Sequence, residues 1–378
     1  MATFTGQLRS NEVYASLFNL IIGQVVFSDN FQKHQTLVDK AKDEAGLAGD
    51  TKIFYACDIL GSDVWGADSN HPKGGVMDVE AANLLAVKRA PAPEQQALII
   101  DTFRQCRLTT DEYMSRRAWS TPNAFAEFTS VIVGMMAECK KVYEGTLYNV
   151  FIGTTKATGS AQNISVNLDS ANSGDPLYGL TGVEKEQMEA MLIARRIADL
   201  LVELGDYNRA YNDYGFMRSY ADENIRVIWN SKFINKIRKI DTPTIFHRDG
   251  LVDKLDEDIL PEHYFGDVNS TNVSAANNSG QYFSVLEKDY TVSSVTTHVF
   301  PGEKIPAGAA IAAGEGYTAP AKDVICKVLV KLPPLLSAFS VGTSFFNARS
   351  LTENRYLTWG HSTLEYLKAY PFITVSVK

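Results

Sequence analysis

Signatures of catalysis are what this sequence has least of. Its 378 residues contain no GxxxxGK[ST] phosphate loop, no GxGxxG after a strand and no GxSxG elbow, which removes the commonest nucleotide-binding and serine-hydrolase designs. The six histidines, at 34, 71, 247, 263, 298 and 361, stand apart with no HExxH or HxH pair, so no metal site can be read from them. Four cysteines, Cys57, Cys106, Cys139 and Cys326, form neither a CxxC pair nor a disulfide framework, and buried free thiols in a reducing compartment are expected. Long apolar runs are missing too. The greasiest, Leu17 to Phe27, is interrupted by Asn19, Gly23 and Gln24 and is too short to span a bilayer, so no membrane partner is expected. The N-terminus lacks a basic region followed by an apolar core, and a cytoplasmic site of synthesis is expected. Positive charge is in deficit: 36 Lys and Arg against 44 Asp and Glu give a net charge of −8, which excludes a whole-chain electrostatic grip on nucleic acid.

Two motif-like strings dissolve on inspection. His247, Arg248 and Asp249 spell a kinase catalytic triplet, but Lys254 stands where that pattern needs Asn, and no Gly-rich loop or DFG accompanies it. The acidic run Asp253, Asp256, Glu257, Asp258 and Glu262 lacks the spacing of a calcium loop and reads as a solvated linker. No catalytic, cofactor-binding or metal-ligating residue is assigned, and no cofactor is expected.

What is present is structural. Phe125, Phe128, Ile132, Met135, Cys139 and Val142 recur at steps of three and four, predicting a helix of five or six turns from Ser120 with one buried stripe. Pro122 suits its first turn. Thr146 to Ile152 is richer in β-formers, and Gly153 closes the unit. Before this helix, Ile53–Ile59, Asn83–Val87 and Leu98–Thr110 read as strands of a long β excursion carrying Lys88, Arg89, Arg104, Arg107, Arg116 and Arg117. Those cations are either a solvated face or a surface that meets acidic patches on another copy. After the helix, Ile164, Val166 and Leu168 alternate as a half-buried strand. Thr181 and Glu184 form a capping-box pattern for a helix ending before Gly205, with an apolar stripe wide enough to be covered on more than one side. Ile225–Trp229 is a short strand, and Ser231 caps a basic amphipathic helix, Lys232–Lys239. Gly266–Gln281 is polar and small and reads as a mobile surface loop or insertion, and Pro301–Tyr317 is Gly/Ala/Pro-rich and reads as a loop or small β-turn module. Strand character returns at Tyr290–Val299, Val324–Lys331 and Phe372–Lys378. The rhythm is that of an α+β or α/β layer.

This order of parts, with the strings Phe103-Arg104-Gln105 through Leu108-Thr109, Tyr113–Trp119, Lys140–Gly153 and Arg226–Lys232, resembles the major capsid proteins of tailed phages. Within them it is most similar to those of the small short-tailed podoviruses, the picovirus-like branch. The resemblance implies an α+β fold of the Hong Kong 97 (HK97-like) type. It divides the chain into an N-terminal arm (1–50), an extended β loop (51–119), a peripheral domain with a spine helix (120–180), an axial domain (181–330) with surface insertions near 266–282 and 301–321, and a β-rich return (331–378). It implies assembly rather than catalysis: pentamers and hexamers in an icosahedral shell around double-stranded DNA. Portal, scaffolding and decoration proteins would be its partners, and packaged DNA would be touched weakly and without specificity. The subunit contacts assigned to the extended loop are Trp65, Lys88, Arg89, Arg104 and Arg107. Rival readings are an encapsulin-type compartment shell of the same fold and a soluble enzyme built from isolated residues such as His247, Asp249 and Ser231.

Overall fold

The computed structural model describes residues 36–44, 49, 51–61, 89–111, 122–239, 256–319, 323–338 and 340–378, and within them the side chains other than those of 36, 44, 111, 122–133, 236–239 and 256. Helix α1 (Thr36–Ala41) leads into β1 (Lys42–Glu44) and β2 (Thr51–Ala56). Strand β3 (Glu94–Asp111) is 18 residues long, roughly 60 Å of extended chain. It is followed by α2 (Pro122–Thr154), 33 residues and about 50 Å long. The chain continues through β4 (Asn163–Val166), α3 (Gly182–Gly205), β5 (Arg226–Asn230), α4 (Ser231–Lys239) and β6 (Asp256–Leu260). Short strands follow: β7 (Val268–Asn269), β8 (Phe283–Ser284), β9 (Lys288–Val292), β10 (Val295–Val299) and β11 (Tyr317–Thr318). The end of the chain is β12 (Val324–Leu329), β13 (Leu335–Ser337), β14 (Val341–Asn347), β15 (Thr352–Ser362) and β16 (Phe372–Val377).

Two sheets carry the architecture. The five-stranded one has the order β4-β16-β12-β5-β6, and each face is covered. On one side Ile193, Ile197, Leu200, Leu201 and Leu204 of α3, with Phe233 and Ile234 of α4, pack against Val227, Trp229, Ile325, Val328, Ile373 and Val375. On the other, Tyr148 and Ile152 from the end of α2 pack against Ile228, Leu260, Leu329 and Phe372. Burial on both faces is why the inner strands β12 and β5 are buried along nearly their whole length, whereas the edge strand β4 alternates. The second sheet has the order β1-β13-β15-β3-β2, with β14 also paired to β15. It lies along the middle of α2, where Met136 and Tyr143 meet Leu357 and Trp359. The spine helix therefore supports both sheets.

Several expectations give way here. Helix α2 does not stop near Gly145: the β-formers of Thr146–Ile152 are helical, because Tyr148 and Ile152 are fully buried under the five-stranded sheet and tertiary packing outweighs local propensity. The hydroxyls of Thr146 and Thr154 donate to the carbonyls of Val142 and Val150 at 2.8 and 2.7 Å, so these threonines cost the helix little. The buried stripe keeps Cys139 but passes through Met136 and Tyr143 in place of Met135 and Val142. Met136 is 2% exposed and Met135 55%, so the face runs through Met136, Cys139 and Tyr143; the side chains of Phe125, Phe128 and Ile132 lie outside the described set. The acidic run is no linker, because Asp256–Leu260 pairs in parallel with β5, and Asp258 faces Lys40 at 3.5 Å and Arg226 at 3.8 Å. Thr181 precedes α3 without a side-chain cap bond, and α3 is covered on one side only, with Val183, Met191 and Val202 exposed. The thiols are not uniformly buried: Cys326 is, Cys57 is exposed, and Cys106 and Cys139 are half-buried. The two expected insertions are not separate loops. They fold on each other through β7-β11-β8 around Val273, Tyr290, Ile305, Ile311 and Tyr317, with the β9–β10 hairpin closing the small core.

Candidate functional site

The geometry that distinguishes this chain lies in β3 and what it touches. Its first half pairs with β2, from Thr51 opposite Ile99 to Ala56 opposite Glu94, making a two-stranded ribbon at the edge of the second sheet. Its second half pairs with β15, from Thr352 opposite Asp111 to Ser362 opposite Ile100. The register shifts where Thr102 opposes His361 and Ile100 opposes Ser362, leaving Asp101 as an extra residue. Such a bulge reverses the alternation of side chains. Leu98 and Ile100 accordingly pack with Leu336 and Ala338, whereas Cys106 and Leu108 pack with the spine-helix cluster. The Thr363 hydroxyl shares its one proton between the two carboxylate oxygens of Asp101, at 2.8 and 2.7 Å, and this bond holds the carboxyl below the usual carboxylate range against the effect of burial.

Arg104 sits where three parts of the chain meet. Its Nε donates to the Tyr143 hydroxyl at 3.1 Å, and its guanidinium lies 5.1 Å over the Tyr143 ring. Nη1 lies 3.6 Å from Glu287, just before the β9–β10 hairpin. The Tyr143 hydroxyl is in turn 3.0 Å from His361 Nε2, and His361 Nδ1 is 2.9 Å from the Ser362 carbonyl. A carbonyl can only accept, so Nδ1 carries the proton and Nε2 accepts from Tyr143. Burial, the largest influence on His361, holds it neutral in agreement with that tautomer. Glu287 also reaches His298 at 2.9 Å, and Asp289 reaches its other nitrogen at 2.6 Å. Burial disfavours the His298 cation, but the two carboxylates together outweigh it and raise its pKa.

The ribbon is also tied at its far end. Asp58 Oδ1 accepts from the Met217 amide at 3.0 Å, its other oxygen pairs with Arg209, and Arg218 Nη2 donates to the Cys57 carbonyl at 2.8 Å. The Met217 amide, then Arg209, hold the Asp58 carboxyl down to about 2. This latch is therefore present above the ordinary carboxylate pKa and is lost only as pH falls through about 2. Asp58→Asn is expected to leave the fold intact and to speed hydrogen exchange at the Met217 amide by about tenfold, the worth of one charge-assisted bond. Unchanged exchange would show that the latch does not hold this loop.

The residues assigned from sequence scatter on this frame. Trp65 and Lys88 lie outside the described residues. Arg89 is exposed at the edge of that stretch, and Arg107 is exposed on β3 opposite Tyr356. Arg104, at 33% side-chain exposure, is committed inside the chain rather than offered outward. Exposed apolar side chains went unassigned: Tyr55 at 67%, Phe345 at 60%, Leu60 at 59%, Phe103 at 53% and Ile53 at 46%. Their one sequence signal was the odd-position apolar pair Ile53 and Tyr55 in a strand-like run. Of the residues named for an enzyme, Ser231 opens α4, while His247 and Asp249 lie outside the described residues. Among the described residues no helix is long and apolar enough to cross a membrane.

No family model matches the chain, and no curated protein matches its sequence. Solved phage structures share its fold, among them the two that follow. A chain in the capsid structure of Staphylococcus phage Andhra is 10% identical, with a TM-score of 0.51 over 93% of this chain and 85% of that one. A chain in a structure of the head fibre and inner core protein of native bacteriophage P68 is 10% identical, with a TM-score of 0.53 over 90% of this chain and 84% of that one. The mixed α+β fold expected from the sequence, of the Hong Kong 97 type, is thus the fold of the chain.

Proposed function

We propose that the chain is a tailed-phage major capsid protein that assembles through many copies into the icosahedral shell enclosing a double-stranded DNA genome. The observation that carries this reading is a likeness of fold spanning nine-tenths of the chain to a chain in a phage capsid. An extended ribbon that exposes Ile53 and Tyr55 agrees with it. Such side chains are unusual on a protein that stays alone and ordinary on one that buries them against neighbours. A shell closes when each copy presents complementary patches related by rotations that return on themselves, and interfaces on the order of 2,000 Å² repeated around each copy supply its stability.

The finer divisions belong to the same proposal: an arm to residue 50, the extended loop over 51–119, the peripheral domain over 120–180, the axial domain over 181–330 and the return over 331–378. Placement in the small short-tailed branch rests on the strings around Phe103, Tyr113, Lys140 and Arg226. Pentamers and hexamers are the working units, with portal, scaffolding and decoration proteins as partners, weak contact with packaged DNA and no catalytic step. Synthesis occurs in the host cytoplasm and the mature site is the virion. Arg89 and Arg107 remain contact candidates by their exposure. Arg104 acts on assembly through the ribbon's junction with the spine helix.

Purified protein is expected to sediment as pentamers, hexamers or shells and to show shells by electron microscopy. Tyr55→Asp should leave the subunit's circular dichroism and unfolding midpoint unchanged, because the ring is two-thirds exposed. It should lower shell yield by about tenfold or more, as charging a buried interface anchor does. Stable monomers from the unaltered chain under every assembly condition would overturn the reading. Normal shells from Tyr55→Asp would remove the ribbon from the interface.

A further inference from the structure

Two of the four cysteines face each other across the junction between ribbon and spine helix. Arg104 of β3 bonds to Tyr143 of α2 at 3.1 Å, which fixes the register of the strand on the helix. Two residues along a strand advance about 6.7 Å, and four residues along a helix about 6 Å. Stepping from Arg104 to Cys106 therefore matches stepping from Tyr143 back to Cys139. Both thiols pack on the same cluster of Met136, Tyr143, Leu357 and Trp359, and both are half-buried. We propose that Cys106 and Cys139 are a redox pair that closes into an intrachain disulfide, stapling the extended strand to the spine helix.

The neighbouring Cys139 thiol lowers the pKa of Cys106 against the opposing effect of burial, and the neighbouring Cys106 sulfur with burial raises that of Cys139. Attack can begin at either sulfur, and the steps are the same with the two exchanged. With a low-molecular-weight disulfide as oxidant, the Cys106 sulfur attacks one sulfur of that disulfide, forming a mixed disulfide and expelling one thiolate, which takes up a proton. Cys139 then gives up its proton as its sulfur attacks the Cys106 sulfur, and the second small thiol leaves. The protein loses two electrons and two protons, and the small disulfide is reduced to two thiols. Cys57 is exposed and has no such partner among the described residues, while Cys326 is fully buried in the five-stranded sheet. The inference stands on the subunit's own geometry and does not depend on the shell reading.

The test treats the folded full-length protein with glutathione disulfide, alkylates the remaining thiols and maps the peptides by mass spectrometry. Expected is a linked Cys106–Cys139 peptide pair, two hydrogens lighter than its parts, removed by dithiothreitol and exceeding any other linked pair by about tenfold, as preorganised reactants do. Cys139→Ser and Cys106→Ser should each abolish the linked pair and leave the remaining thiol free or as its glutathione adduct. Circular dichroism shows that both variants are folded before they are oxidised. Failure of the pair to form in the folded protein, with Cys106 free or glutathionylated while Cys57 has reacted, would overturn the proposal. So would a Cys106–Cys57 pair outcompeting it. Either result leaves shell formation, scored by electron microscopy, as a separate answer.

Discussion

Gly153→Ala is expected to destabilise the subunit by at least about 2 kcal/mol, although alanine is the better helix former by up to about 1 kcal/mol. Gly153 lies in the last turn of α2, and a Cβ there would sit 2.1 Å from the Tyr264 carbonyl oxygen and 2.7 Å from its carbonyl carbon. Both atoms are backbone, so relief requires moving the helix end or the turn at Glu262–Tyr264 rather than rotating a side chain. That turn is itself pinned: Tyr264 is 7% exposed and its ring lies against Gly302, where an added Cβ would come within 2.4 Å. The close approach lets the spine helix seat under the five-stranded sheet. Gly134, in the same helix, is the control, because a Cβ there meets nothing within 4 Å. Gly134→Ala should therefore stabilise by about 0.5–1 kcal/mol. Urea denaturation of the unassembled variants measures both. If the two alanines shift the midpoint in the same direction, the packing account of Gly153 fails.

The elements legible from sequence are those whose pattern a single surface dictates. Strand β4 alternates because one side meets the core, and Val166 is buried while Ser165 is not. Helix α4 has Phe233 and Ile234 buried at the positions its periodicity marked. What escaped reading is set by partners distant in sequence. Strand β6 is acidic because Lys40 and Arg226 face it from elsewhere in the chain, and no local rule prices an Asp whose cations lie that far away. Strand β15 carries Glu353 and Arg355 on a buried face, paired at 3.1 Å, which breaks the apolar alternation that would have announced it. The phase of α2 was misread because Met135 and Met136 are adjacent and equally apolar, and only the sheet opposite chooses between them. Charge drew the sequence reading to Arg104, whose guanidinium bonds to Tyr143 within the chain, while the exposed apolar residues Tyr55 and Phe345 carry no motif.

Lys327 supplies the largest pH effect expected of the folded subunit. Its side chain is fully buried in β12, where Nζ donates to the Thr155 carbonyl at 2.7 Å and the Thr374 hydroxyl at 2.8 Å and lies 5.6 Å over the Phe372 ring. Two donated bonds suit a neutral amine, whose remaining lone pair needs no partner. Burial lowers its pKa from 10.5 to about 7. Between pH 7 and 10.5 the unfolded chain holds a proton that the folded chain has released, so unfolding takes up a proton and stability rises with pH across that window. From pH 7 to pH 9 the group contributes a gain of about 2 kcal/mol, and below pH 7 its cost is constant. Lys327→Met removes the titration but strands the Thr155 carbonyl, at a cost of about 1–3 kcal/mol. Relieving the buried amine is worth about 4 kcal/mol at pH 7, so the variant should equal or exceed the parent there. Its margin should shrink or reverse by pH 9. Denaturant midpoints of the unassembled subunit at the two pH values give the comparison directly. An equal rise with pH in parent and variant would mean that Lys327 is not the group that titrates.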